Sequence, residues 1–290
     1  MSWGCAMSLL ADLSNDAAAL AEQVALRVVS VRTANGRQSS GFVWRTGLIV
    51  TADEALDGED EIELLFGDGK TVKAAISGRD PSTDVALVKT ETADFGDWDA
   101  AQARPAALAL VAGRGDGSLV ASLASVTEVG PAWRSMRSGQ IDARITLAVR
   151  LSGRAEGAAV VAPDGRLLGM AVSSPRRRTL VIPTSTIARA VSTLAEKGYI
   201  PRGWLGVMLH PVGSGAGTIL LGVEDGSPAA KAGLLVGDVI TTWDGEAVKS
   251  VGSISNRLAT GTVGSVVKLG VLRGGSAIDI SVTLGERPRG

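Results

Sequence analysis

Acid–base and metal chemistry have few residues to draw on in this chain of 290. It holds one histidine, His210, and one cysteine, Cys5. A lone cysteine rules out an intramolecular disulfide and any zinc site built from cysteines. His210 stands in G-V-M-L-H-P, a strand-like run, where an exposed or half-buried strand position is expected. Nothing before residue 210 can therefore supply an imidazole base. The remaining chemistry-bearing side chains are carboxylates in short loop-like segments: T-A-D-E-A (51–55), D-P-S-T-D (80–84) and R-A-E-G-A (154–158), with Ser152 just upstream of the last.

The elements that must position these groups are mostly strands. Residues 8–26 repeat apolar side chains at helical spacing (Leu9, Leu13, Leu20, Val24), which predicts a lead-in helix over 1–26. From Arg27 the pattern becomes short apolar runs broken by Gly, Asp and Asn: V-V-S-V-R, G-F-V-W, G-L-I-V-T, E-I-E-L-L-F and V-A-L-V-K. Strands at such spacing predict a barrel or sandwich. Asp68-Gly69 and Asp164-Gly165 mark tight turns. A looser stretch near 92–105 precedes a second strand-rich block that reaches about Val181. The run S-T-I-A-R-A-V-S-T-L-A-E-K-G then predicts a helix with Ile187, Val191 and Leu194 on one face and Gly198 as its stop. A hinge at 201–203 leads into a final unit of 204–287.

Composition narrows the class. The chain is 45% hydrophobic and 20% charged, with 37 glycines, as expected of a turn-rich globular β protein. A net charge of −1 gives no electrostatic case for nucleic acid or an anionic membrane. No apolar stretch of membrane-spanning length is present. The N-terminus lacks a basic segment followed by an apolar run, which predicts a cytoplasmic protein without a signal peptide; a start trimmed of its leader would instead leave the protein periplasmic. No cofactor is expected.

Three segments of the final unit, R-G-W-L-G-V (202–207), S-P-A-A-K-A-G-L-L-V-G-D-V-I-T-T-W (227–243) and K-L-G-V-L-R-G-G (268–275), resemble a PDZ domain in the circularly permuted bacterial order. The resemblance implies that a peptide C-terminus adds as an edge strand, its carboxylate resting on backbone N–H groups of Trp204, Leu205, Gly206 and Val207. Ile254 and Leu258, on a helix over 252–260, would form the apolar wall of that groove.

The first-barrel segments, G-F-V-W-R-T-G-L-I-V-T-A-D-E-A and D-P-S-T-D-V-A-L-V-K, resemble the HtrA (Deg) family of trypsin-like serine proteases, as does the join V-I-P-T-S-T-I-A-R-A-V … G-W-L-G-V (181–207). The implied fold is mostly β: a trypsin-like double six-stranded β-barrel over 27–183, a linker helix and hinge over 184–203, and the PDZ domain over 204–287. In the family's register, Glu54 stands in the histidine slot and Glu156 in the serine slot, while Asp84 keeps the acid. Arg154 replaces the leading glycine of the nucleophile turn and Gly157 keeps the next one. Ser152 lies four residues too early to serve unless the turn is rebuilt.

Loss of two triad members predicts a pseudoprotease, not an enzyme, that works as a protein-binding scaffold through its PDZ groove and barrel surface. The alternative is a hydrolase or a hard-cation site built on Glu54, Asp84 and Glu156, since three adjacent carboxylates invite a proton or a cation. Arg154 could instead fold back and pair with them, or the glutamates could turn out to solvent. The connection S-S-P-R-R-R-T-L (173–180) is short for the family, and its arginines fit either a solvated turn or an acidic partner. HtrA proteases commonly form trimers through N-terminal segments, so a homotrimer through the lead-in helix, with Trp3, is also implied.

Overall fold

The computed structural model describes residues 3–174, 178–213, 217–258 and 263–288. The chain divides into two compact units, 1–200 and 201–290. The first opens with helix α1 (Trp3–Ala25). Its C-terminal half does what its pattern predicts, burying Ala21 and Val24, but Leu9, Leu10 and Leu13 stay exposed in this chain. The helical spacing is right; the cover over its first half is missing.

The first barrel closes β1 (Val28–Arg32), β2 (Gln38–Arg45), β3 (Leu48–Thr51), β4 (Glu61–Leu65), β5 (Thr71–Asp80) and β6 (Val85–Lys89) in the order β1-β2-β3-β6-β5-β4. The second closes β7 (Leu108–Gly115), β8 (Ser118–Gly130), β11 (Arg144–Leu147), β12 (Ala159–Val161), β13 (Leu167–Ser173) and β14 (Thr179–Pro183); a small ribbon of β9 (Trp133–Arg134) and β10 (Gln140–Ile141) lies between β8 and β11 in sequence. Short antiparallel strands with one face inward explain the period-2 runs in the sequence. One core layer joins Val24 of α1, Phe42 and Leu87 of the first barrel, and Leu110, Met170 and Ile182 of the second. It extends to Ile187, Val191 and Leu194 of α2 (Thr184–Lys197), which Gly198 ends in the left-handed region.

Arg114, on β7, is buried and ties this unit together. Its guanidinium donates to the carbonyls of Ala25 at the end of α1 (2.9 Å), Val28 on β1 (3.2 Å) and Gly117 in the β7–β8 turn (2.7 Å). It thereby satisfies a helix-end carbonyl that has no partner within the helix.

The second unit holds a sheet in the order β16 (Val207–Pro211), β17 (Thr218–Val223), β18 (Val239–Trp243), β20 (Val266–Arg273), β21 (Ser276–Thr283), with β19 (Glu246–Ala247) paired to β18. A separate pair, β15 (Gly203–Trp204) with β22 (Gly285–Glu286), closes its ends. Helix α3 (Pro228–Lys231) is capped by Ser227, whose side chain accepts from the Ala230 N–H, and Pro228 opens its first turn. Helix α4 (Val251–Leu258) packs over the core of Leu205, Leu220, Trp243 and Val282. The sequence-predicted helix over 252–260 extends past α4 into residues outside the described ones, as do residues 175–177 of the arginine-containing loop.

Candidate functional site

Two sites can be built from residues upward, one in each unit. In the first, Glu54 opens a 3-10 turn (Glu54–Leu56) directly after β3. Its N–H donates to Asp84 Oδ1 at 2.7 Å, which holds the two segments together. Asp84 has a left-handed backbone (φ 59°), a conformation that Asp and Asn tolerate better than most residues. Burial pushes its carboxyl up to about 8; the Glu54 N–H bond opposes this, and the negative charges of Glu54, Glu156 and Asp53 add to it. Asp84 is thus protonated at neutral pH. Asp53, also raised mainly by burial, pairs with Arg79 at 2.9 Å.

Glu156 closes a second 3-10 turn (Gly153–Ala155) and is buried. Its carboxylate accepts from both the N–H (2.7 Å) and the hydroxyl (2.5 Å) of Ser173. Within this turn the Glu156 N–H donates to the Gly153 carbonyl (3.2 Å) and the Ala155 N–H to the Ser152 carbonyl (2.9 Å). Gly157 follows at φ 82°, and a Cβ there would lie 2.2 Å from the Ser40 carbonyl. Only glycine fits both the angle and the space.

The cleft beside these groups has a volume of about 740 Å³; Glu54, Asp84, Trp133, Arg137, Ser173 and Arg178 are among its lining residues. The three sequence-predicted carboxylates thus reach one neighbourhood without forming a ligand cage. Glu54 turns outward, and among the described residues no group of three acidic, histidine or cysteine side chains is placed to hold a metal ion. The hard-cation expectation fails because Glu156 is occupied by Ser173 and Asp84 by Glu54. Arg154 does not fold back on them either. Its stem lies against Gly115, and the arginine beside Glu54 is Arg137, at 3.7 Å. Ser173 was not singled out from sequence, because nothing in S-S-P-R-R-R marks a serine that will face a buried glutamate seventeen residues earlier.

In the second unit, Leu205 and Gly206 connect β15 to β16 and are buried. The Leu205 carbonyl accepts from Ala229 N–H (2.9 Å) and the Gly206 carbonyl from Glu224 N–H (2.8 Å). The N–H groups of Leu205 and Gly206 donate to no partner among the described residues. Gly206 is left-handed (φ 74°), and a Cβ there would strike Ser227 at 2.3 Å. Strand β16 is the sheet's edge, and α4 packs against it. Ile254 of α4 is closed into the core while Leu258 remains half-buried; Trp204 is half-buried and pairs with Gly285. His210 is an exposed edge-strand residue whose Nδ1 lies 2.9 Å from the Pro211 carbonyl.

Two closed six-stranded barrels around one cleft, then an edge-stranded sheet with a loop of open amides, define a trypsin-like peptidase fold joined to a PDZ domain. The matching family models agree: a trypsin-like peptidase domain over residues 39–170 and a PDZ domain over 203–284. Across both domains the chain is similar to proteins named as DegP-like serine endoproteases. A probable periplasmic serine endoprotease DegP-like of Brucella suis biovar 1 is 30% identical over 285 residues, covering 87% of this chain and 53% of that protein. The periplasmic serine endoprotease DegP of Salmonella typhimurium is 29% identical over 266 residues, covering 82% of this chain and 54% of its own length. The chain thus spans about half the length of the curated relatives it matches. In fold it is similar to the HtrA-type protease AlgW with decapeptide (TM-score 0.72, 22% identity, 94% of this chain and 99% of that one). It is also similar to the serine endoprotease from Yersinia pestis (TM-score 0.72, 21% identity, 93% and 97%).

These relatives correct two expectations. The reading of a chain that is not an enzyme is overturned by relatives named as serine endoproteases across most of its length. The expectation weighed two substituted positions, Glu54 and Glu156, above the similarity carried by the rest of the chain. The cytoplasmic assignment is overturned by the same relatives, which are named periplasmic.

Proposed function

We propose that this chain captures polypeptides by their C-terminal tails and so brings partner proteins to an HtrA-type barrel. The PDZ groove takes the tail as an added strand on β16, opposite α4, with the half-buried Leu258 on its apolar wall. The terminal carboxylate accepts from the N–H groups in the loop of residues 204–207. One observation carries this reading: Leu205 and Gly206 are buried residues, yet their N–H groups donate to nothing among the described residues. Leaving a buried donor unmade costs about 1–3 kcal/mol, and a carboxylate recovers it with charge-assisted bonds. PDZ domains bind peptides or proteins, and the similar AlgW structure is a complex with a decapeptide.

The test is fluorescence anisotropy on the full chain with labelled decapeptides that differ only at the end group, free acid or amide. Amidation should weaken binding by roughly 10–100-fold, the value of losing a charged acceptor. Equal affinities for acid and amide would sink the proposal. The exposed Leu9, Leu10 and Leu13 of α1 further support self-association into a homotrimer through that face. Light scattering should then show a trimer that Leu9→Ser with Leu10→Ser dissociates.

A further inference from the structure

Hydrolysis in this cleft cannot run through a histidine, since the chain has none before residue 210. Another pair is in place. Ser173 is the last residue of β13, exposed, and lines the cleft, while Glu156 lies buried behind it. The serine hydroxyl donates to Glu156 Oε2 at 2.5 Å, and the N–H of the same serine holds Oε1 at 2.7 Å. The glutamate's backbone is pinned as well: its carbonyl accepts from Ser40 N–H at 2.8 Å, and Gly157 N–H reaches the Ala171 carbonyl at 2.9 Å. A nucleophile facing open space with a fixed proton acceptor behind it is the arrangement that acyl transfer requires.

We infer that Ser173 and Glu156 form a hydrolytic pair, serine nucleophile and carboxylate base, acting on ester or amide carbonyls of polypeptide held in the cleft. Ser173 Oγ bonds to the carbonyl carbon as its proton passes to Glu156 Oε2. The bond from carbon to the leaving amine or alcohol then breaks, and Glu156 returns that proton to the leaving group. A water gives its proton to Glu156 while its oxygen adds to the acyl-serine. Ser173 Oγ leaves and takes the proton back, so the sum is substrate plus water to acid plus amine or alcohol. The transient oxyanion forms in a cleft whose lining includes the cationic residues Arg137, Arg144 and Arg178. The inference stands on the barrel geometry alone and is independent of tail capture.

The test treats the full chain with a fluorophosphonate probe between about pH 4 and pH 7, the range in which carboxylate bases operate. Peptide mass spectrometry locates the adduct. The expected result is an adduct at Ser173 that Ser173→Ala abolishes and that Glu156→Gln, which keeps the size but replaces one acceptor oxygen by a donor NH2, slows by ~10²-fold or more. Turnover of p-nitrophenyl acetate should follow the same order, with a pH profile that Glu156→Gln flattens. No adduct at Ser173, or an unchanged rate in a Glu156→Gln variant whose melting matches the parent, overturns the pair. Ser173→Ala, at an exposed position, keeps the test decisive if the buried variant unfolds.

Discussion

The cleft of the first unit and the groove of the second handle their polar groups in opposite ways. In the cleft the groups around the carboxylates pair with one another: the Glu156 N–H bonds to the Gly153 carbonyl, Ser173 holds the Glu156 side chain, and the Glu54 N–H holds Asp84. In the groove the Leu205 and Gly206 amides are left open while the neighbouring carbonyls are satisfied. A site made from side chains changes its chemistry when two residues change. A site made from backbone amides keeps its chemistry as long as the loop keeps its path, which Gly206 secures.

That contrast can be broken at its glycines first. Gly157→Ala should be the most damaging change in the cleft, because the added methyl meets the Ser40 carbonyl at 2.2 Å in a left-handed backbone; a loss of about 3 kcal/mol or more in thermal or denaturant unfolding is expected. Gly206→Ala is the matching change in the groove. It should weaken tail binding by roughly 10-fold or more, read by the same anisotropy assay, and leave barrel chemistry unaltered.

Asp84 sharpens the comparison through pH. Its folded-state value of about 8 lies above its ordinary value of 3.8, so between these the folded chain holds a proton that the unfolded chain has released. The proton's contribution to stability is complete below the lower value and is lost as pH rises through the window, by at most about 1.4 kcal/mol per pH unit. Asp84→Asn should remove that slope in urea titrations of the full chain and stabilise it most at alkaline pH. An unchanged slope would mean Asp84 is ionised in the fold. The smallest effect is expected at Arg137→Ala. Its 3.7 Å contact with Glu54 joins two half-exposed side chains, so a loss under about 0.5 kcal/mol is expected by the same urea titrations.

The fold was legible because its signals are local. Period-2 runs gave the strands, Asp68-Gly69 and Asp164-Gly165 gave turns, Gly198 gave the end of α2, and the run from Ser227 to Trp243 gave the capped helix and strand of the PDZ domain. The open amides of Leu205 and Gly206 lie in the loop that the G-W-L-G-V motif marked. The cleft was legible only in its residue types. That Glu54, Asp84 and Glu156 share a neighbourhood followed from the family register, but their partners did not. Whether Glu156 meets Arg154 or Ser173 depends on how β13 ends and how the turn at 153–155 winds, and neither leaves a mark in composition or spacing. The exposed first half of α1 is a similar case, since amphipathic spacing says which face is apolar and nothing about what covers it.

Arg114 gives the first unit an uncommon kind of seam. One guanidinium takes carbonyls from the end of α1, the first strand of one barrel and a turn of the other, so these three parts share a single fastening. Local opening there is all or nothing: amide protons protected near Ala25, Val28 and Gly117 should exchange with deuterium together, at one common rate, rather than as three independent frays.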